Sequence, residues 1–143
     1  MRAHLTVRVH NGAMRELEGF VGTFAAEQGL ADDDQARIII VLEELLTNLS
    51  RYGYPNRPKP EGIAEVTLEL EGDRLTIEFG DDGQAFDPLD RVAPDLGQPV
   101  ESRRVGGLGL HMVRELAEEA HYSRRDGRNV VRLSRRVSIR RTA

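Results

Sequence analysis

Two runs of alternating apolar and polar residues, "IAEVTLEL" at 63–70 and "RLTIEF" at 74–79, flank the short turn "EGD". Alternation with a period of two around a turn predicts a β-hairpin with one face in the core and one in water. The buried face needs a cover, and the upstream sequence supplies one. In "ADDDQARIIIVLEELLTNLSRYG", Ile38, Leu42, Leu45 and Leu49 fall on one stripe at about 100° per residue, so a long helix is expected to lay that stripe on the sheet. Asp32 or Asp33 is expected to cap it, early carboxylates suit the positive end of its dipole, and Gly53 with Pro55 ends it.

The remaining elements follow the same logic. "HLTVRV" alternates and reads as a half-buried strand. Ala13 to Gln28 carries Leu17, Phe20, Val21 and Phe24 at helical spacing, with Gly29 placed to stop the helix. "NRPKPEG" is a polar, proline-rich loop. From Asp81 to Val105 no period is present, and an irregular stretch of that length inside a compact domain points to a functional loop such as a lid. "GGLGLHMVRELAEEA" reads as a helix entered through glycines, and "HYSRRD" with "NVVRLSRRV" reads as a closing hairpin. The expected fold is one α/β (α+β) domain over 1–143, a two-layer sandwich of helices on one face of a mostly antiparallel sheet.

Composition narrows the function classes. At 143 residues the chain has room for one core. Its 39% hydrophobic and 31% charged residues describe an ordinary globular protein. No apolar run approaches the roughly 20 residues of a membrane span, and the N-terminus lacks the apolar segment of a signal peptide, so a cytoplasmic location without membrane contact is expected. The absence of cysteine removes disulfides and thiolate metal sites. A net charge of -4 argues against direct nucleic-acid binding. The arginine-dense segment from Arg124 onward reads mainly as a solvated outer strand, and otherwise as a docking surface for an acidic partner or for phosphates.

Three places carry potential chemistry. Glu44 and Asn48 are four residues apart on one helix face, beside the apolar stripe, whereas Glu43 points about 100° away toward solvent. A carboxylate and an amide so placed can hold hydrated Mg²⁺ and supply a general base, although such pairs are more often surface decoration. "DDGQAF" follows a strand, with Asp81 where the chain leaves the sheet and Gly83 permitting a tight turn or close ligand approach. A plain Asp-Gly turn would look the same. Gly106, Gly107 and Gly109 open a helix whose free N–H groups suit an anion, or simply form a flexible loop. A Walker A loop is excluded because the single lysine, Lys59, lies in the proline-rich loop. A Rossmann fingerprint lacks its preceding strand and following βαβ unit.

The order of "EELLTN" on a helix, "DDGQAFDP" after a hairpin, "GGLGL" opening a helix and a final hairpin resembles the GHKL (Bergerat-type) ATPase fold. "ELLTNLSRYGYP" and "DDGQAFDP" further resemble the anti-sigma factor serine kinases of bacterial partner-switching systems. That resemblance implies a catalytic base at Glu44 and an Mg²⁺-coordinating amide at Asn48. It implies an adenine-accepting carboxylate at Asp81, with Gly83 against the base. Gly106, Gly107, Leu108, Gly109 and Leu110 would wrap the phosphates of ATP, and about 88–105 would form the ATP lid. Arg103 and Arg104, just before the glycines, carry charge suited to the terminal phosphate. The family's last strand often has a Gly-Thr pair where this chain has Gly127-Arg128-Asn129, so Asn129 stands as a substitute contact.

The implied activity is ATP-dependent phosphorylation of a serine on an anti-anti-sigma protein, together with sequestration of an alternative sigma factor by a homodimer. The alternatives are a non-catalytic ATP-dependent binding switch and a simple ATPase. His4, His10, His111 and His121 lie within the domain and not on a separate dimerisation helix, which disfavours a phospho-accepting histidine.

Overall fold

The computed structural model describes residues 1–55, 62–90 and 113–140. Strand β1 (Arg2–Arg8) leads into helix α1 (Ala13–Gln28) and helix α2 (Asp32–Tyr52). Strands β2 (Ile63–Glu71) and β3 (Arg74–Asp81) form the expected hairpin. A 3₁₀ turn at Pro88–Asp90 follows, then strands β4 (Glu119–Arg125) and β5 (Arg128–Arg136). The sheet order is β1-β2-β3-β5-β4. The expectation of a mostly antiparallel sheet is sharpened here: among the described residues all four strand pairings are antiparallel.

Parity explains the layering. Ala64, Val66, Leu68 and Leu70 of β2 are buried, as are Leu75, Ile77 and Phe79 of β3 and Val131 and Leu133 of β5. All project to one face, where α1 and α2 cover them. From α1 come Leu17, Val21 and Phe24; from α2 come Ile38, Leu42, Leu45 and Leu49, the stripe read from the sequence. Leu42 is fully buried, and truncating such a side chain to alanine costs about 2–5 kcal/mol.

The opposite face of the sheet is polar, and several of its arginines meet carboxylates. Arg128 meets Glu65 at 2.8 Å, Arg74 meets Glu119 at 2.9 Å and Arg136 meets Asp73 at 3.4 Å. The expectation of an outer strand is corrected: most of the arginine-dense segment is β5, which lies between β3 and β4, with Arg128, Arg132 and Arg136 on the polar face of the sheet.

Two local expectations are corrected. Neither Asp32 nor Asp33 caps α2; the N-cap is Ala31, without a side-chain bond. The nearby carboxylates are used by the C-terminal segment instead. Asp34, nearly fully buried, accepts the Ser138 amide at 2.7 Å and the Arg37 guanidinium at 3.0 Å, and Asp32 pairs with Arg140. Ala31 donates its amide to Ser138 and Arg140 donates to Gly29, which closes α1 in a left-handed conformation. The last helix also ends sooner than expected. Val113 to Leu116 are helical, but Glu119 already belongs to β4, where its backbone pairs with Ser134.

Candidate active site

The buried face of the sheet does not end in an apolar residue. Asp81 continues the inward series Leu75, Ile77, Phe79, and on β5 Asn129 continues Val131 and Leu133 in the other direction. These two polar residues are register partners across β3 and β5. Both are buried, Asn129 to 4% exposure and Asp81 to 9%. The strand period thus aims a carboxylate and an amide at the helical layer.

What they face is the last two turns of α2. The loop after β3 is fastened to the end of that helix: the Gln84 amide donates to the Gly53 carbonyl at 2.9 Å, and Gln84 Nε2 donates to the Tyr52 carbonyl at 2.6 Å. The rings of Tyr52 and Phe86 stack with centroids 6.0 Å apart. Asp82 accepts Tyr54 Oη at 2.5 Å and the Ile63 amide at 3.0 Å, so this second carboxylate holds the loop to β2. Gly83 does not adopt a left-handed backbone. It is glycine because of close approach: a Cβ there would lie 3.0 Å from Leu49 Cδ1 and 3.1 Å from Gly53 Cα. It packs behind the Asp81 carboxylate and donates its amide to Asp81 Oδ1 at 2.8 Å.

The result is one cleft lined by Asn48, Asp81 and Asn129 among Leu45, Leu49, Phe79, Gln84, Phe86 and Val131. It is apolar except for a few convergent polar groups, which is the composition of a small-molecule site. Asp81 takes both of its hydrogen bonds, from Gly83 and Asn129, on Oδ1. Burial pushes its pKa above the ordinary carboxylate value. The bonds from Asn129 and Gly83 and the charge of Arg124 act in the opposite direction, while neighbouring Asp82 adds to the rise.

On α2, Glu43 is exposed, Glu44 is half-buried and Asn48 is 3% exposed, the order predicted from the helical angle. Asn48 Nδ2 donates to the Glu44 carbonyl and to Glu44 Oε1, each at 2.8 Å. Asn48 Oδ1 is buried and has no hydrogen-bond partner among the described residues. An unpaired buried amide oxygen costs about 1–3 kcal/mol. A hard cation binds oxygen, so this atom fits Mg²⁺, which typically takes one or two protein oxygens and fills its sphere with water and phosphate. Among the described residues no group of three or more His, Cys, Asp or Glu is placed to hold a metal ion.

The structure therefore joins Glu44, Asn48, Asp81, Gly83 and Asn129 at one end of the sheet. Arg103, Arg104, Gly106, Gly107, Leu108, Gly109 and Leu110, and residues 91–105 of the expected lid, lie outside the described residues. Pro88 and Leu89, at the start of that segment, are buried in the 3₁₀ turn. Sequence reasoning missed Gln84, Phe86, Tyr122 and Arg124. The signal for Phe86 was its place in "DDGQAF"; for Tyr122 and Arg124 it was parity along β4 opposite Asn129.

Comparison with known proteins agrees with this architecture. The histidine kinase-like ATPase domain family matches residues 7–135. A Bacillus cereus protein named serine-protein kinase RsbW is 31% identical over 113 residues, covering 75% of this chain and 68% of its own. The serine/threonine-protein kinase BtrW of Bordetella bronchiseptica is 26% identical over 98 residues, covering 68% and 67%. In fold, the chain matches a structure of the RsbU and RsbW domains of Rv1364c from Mycobacterium tuberculosis with a TM-score of 0.68 at 22% identity. That match covers 96% of this chain and 32% of the longer one. The catalytic domain of histidine kinase ThkA matches with a TM-score of 0.54 at 14% identity, covering 96% and 99%. With its helices on an antiparallel sheet and an apolar cleft carrying Asn48, Asp81 and Asn129 at the end of α2, this chain belongs to the histidine kinase-like (GHKL) ATPase domain family.

Proposed function

We propose that the protein is an ATP-dependent serine kinase that phosphorylates a small anti-anti-sigma antagonist and, as a homodimer, sequesters an alternative sigma factor. Family membership makes ATP the nucleotide, and the relatives named as serine kinases support transfer to a hydroxyl. One observation carries the reading: the Glu44–Asn48 pair adjoins the cleft that holds Asp81.

Asp81 Oδ2, left without either bond to Oδ1, is placed to accept the exocyclic amine of adenine. The apolar lining of Leu45, Leu49 and Phe79 excludes water from the base. Asn48 Oδ1 and the glycine segment at 106–110 would hold Mg²⁺ and the phosphates. Bound Mg²⁺ supplies neutralisation of phosphate charge. Glu44, oriented by Asn48 and open to solvent on its outer side, takes the proton from the substrate serine as its Oγ bonds to the γ-phosphorus. The bond from that phosphorus to the β,γ-bridging oxygen breaks, and ADP is released. Phosphorylation would then prevent the antagonist from rebinding by placing charge in a fitted interface.

The test is to incubate the protein with Mg-ATP and a candidate antagonist and follow the antagonist by intact mass. A phosphate-sized gain that disappears with Glu44→Gln supports the kinase. Phosphate release without a gain would replace it with an ATPase. ATP binding with neither product would replace it with a nucleotide-dependent binding switch.

A further inference from the structure

The side chain of Asn129 is engaged at both ends by its neighbours around the cleft. Its Nδ2 donates to Asp81 Oδ1 at 2.9 Å and to the Gln84 carbonyl at 2.8 Å. Its Oδ1 accepts Tyr122 Oη at 2.6 Å, Arg124 Nη1 at 3.1 Å and the Phe86 amide at 3.2 Å. Arg124 Nη1 also donates to the Gly83 carbonyl at 2.8 Å. A primary amide has two donor hydrogens and an oxygen with two lone pairs, so both ends of Asn129 are already committed. Nothing remains with which to grip a ligand.

We infer that Asn129 is a positioning residue that sets the base specificity of the cleft: it does not contact the nucleotide but pins Asp81 by Oδ1, so that Oδ2 is presented as a fixed acceptor. This inference rests on the nucleotide-binding reading above. A carboxylate free to rotate can meet many donors in several poses. A carboxylate held on one oxygen by two donors, Gly83 N and Asn129 Nδ2, offers its other oxygen in one direction only. A fixed anionic acceptor there favours a purine bearing an amino group at C6. It repels the C6 oxygen of guanine, because two acceptors would face each other across a desolvated contact. The same amide ties three elements together. Through Gln84 and Phe86 it holds the loop after β3, and through Tyr122 and Arg124 it holds β4.

The donor half of this role can be removed without changing shape. Asn129→Asp keeps an oxygen toward Tyr122, Arg124 and Phe86 but turns an acceptor toward Asp81. Around the resulting pair of carboxylates the described charged or titratable neighbours are Asp82, Tyr122 and Arg124. Two carboxylates in hydrogen-bond contact take up a shared proton as the pH falls, and that proton restores the missing bond. Asn129→Thr retains one hydroxyl donor, and Asn129→Ala retains none.

The experiment is calorimetric titration of the full chain and its variants with ADP and with GDP, at pH 8 and pH 6. Wild type is expected to bind ADP at least tenfold more tightly than GDP at pH 8. Asn129→Asp is expected to lose at least tenfold in ADP affinity at pH 8 and to regain part of it at pH 6. Asn129→Thr is expected to keep the ADP preference that Asn129→Ala loses. If folded Asn129→Asp binds ADP like wild type at pH 8, or its loss is equal at both pH values, the inference is overturned. Should Asn129→Asp not fold, the Thr and Ala pair decides, and equal ADP-to-GDP ratios in the two overturn it. Wild type that binds neither nucleotide would instead overturn the ATP-site reading itself.

Discussion

Asn48 and Glu44 form a closed pair on one turn of α2, in which a single amide nitrogen donates to both the backbone carbonyl and the side chain of the glutamate. The pair fixes two things at once. It orients the Glu44 carboxylate, and it turns Asn48 Oδ1 into a buried site with no partner among the described residues. In an isolated helix such an oxygen would find water; here the sheet and the loop after β3 shield it.

Glu44→Gln keeps an oxygen for Asn48 Nδ2, so the fold should be retained. The melting temperature is expected to stay within a few degrees of wild type, while the rate of phosphoryl transfer falls by about 10²–10⁴-fold, the usual worth of a general base. Differential scanning calorimetry and a single-turnover assay read the two effects separately.

Asn48→Ala removes the unpaired oxygen together with its bonds to Glu44. Losing those bonds destabilises, and deleting a buried unsatisfied acceptor offsets that loss, so apo stability should change by no more than about 1 kcal/mol. The expected effect is on metal dependence. Mg²⁺ should strengthen ADP binding to wild type and leave the variant unchanged, as measured by titration with Mg²⁺ and with EDTA.

For Asp81 the direction of the pKa shift sets the sign of a pH effect. Its folded pKa lies above the unfolded value of 3.8 because burial penalises the charge. The corresponding stability is fully present below the unfolded pKa and is lost as pH rises through the folded one. Wherever Asp81 is ionised, its burial is therefore a net cost to the apo protein. Asp81→Asn can still accept the Gly83 and Asn129 bonds on its oxygen. It should melt higher than wild type at pH 7, by on the order of a few degrees. The difference should vanish as pH falls through the raised pKa toward 3.8, while ADP binding is lost at every pH. Melting curves across pH, paired with calorimetric titration, check both parts.

Gly83→Ala would press a methyl group against Leu49, Asp81 and Gly53 at 3.0–3.1 Å. Overpacking of this kind costs about 1–3 kcal/mol. Because the displaced atoms include Asp81 Oδ1 itself, ADP affinity should fall along with stability, as urea denaturation and titration would show.

Asp34→Ala should separate stability from binding. It removes the acceptor for the Ser138 amide and for Arg37, far along α2 from the cleft-lining Asn48. A loss of about 1–3 kcal/mol in urea denaturation is expected, with ADP affinity unchanged. An equal fall in ADP affinity would mean that the C-terminal segment and the cleft are coupled.

The local elements were legible because their signals are local. The hairpin at 63–81, the limits of α1, the end of α2 and the stripe on α2 all follow from period and from Gly29 and Gly53 as stops. The different exposures of Glu43 and Glu44 follow from one helical angle. The capping of α2 was not legible, because the carboxylates near its start are claimed by Ser138 and Arg140, about one hundred residues later in the chain.

The sequence by itself placed Glu44 beside Asn48 by helical phase and Asp81 where the chain leaves a strand, and the family resemblance implied their chemical roles. Only the tertiary structure decided what surrounds them. Asn129 shares its inward parity with Val131 and Leu133, but that it meets Asp81 depends on the register of β5 against β3. That Asp81 shares a cleft with Asn48 depends on Gln84 and Phe86 clasping the end of α2. Period is written into neighbouring residues, whereas register and loop docking are settled by contacts between segments far apart in the chain.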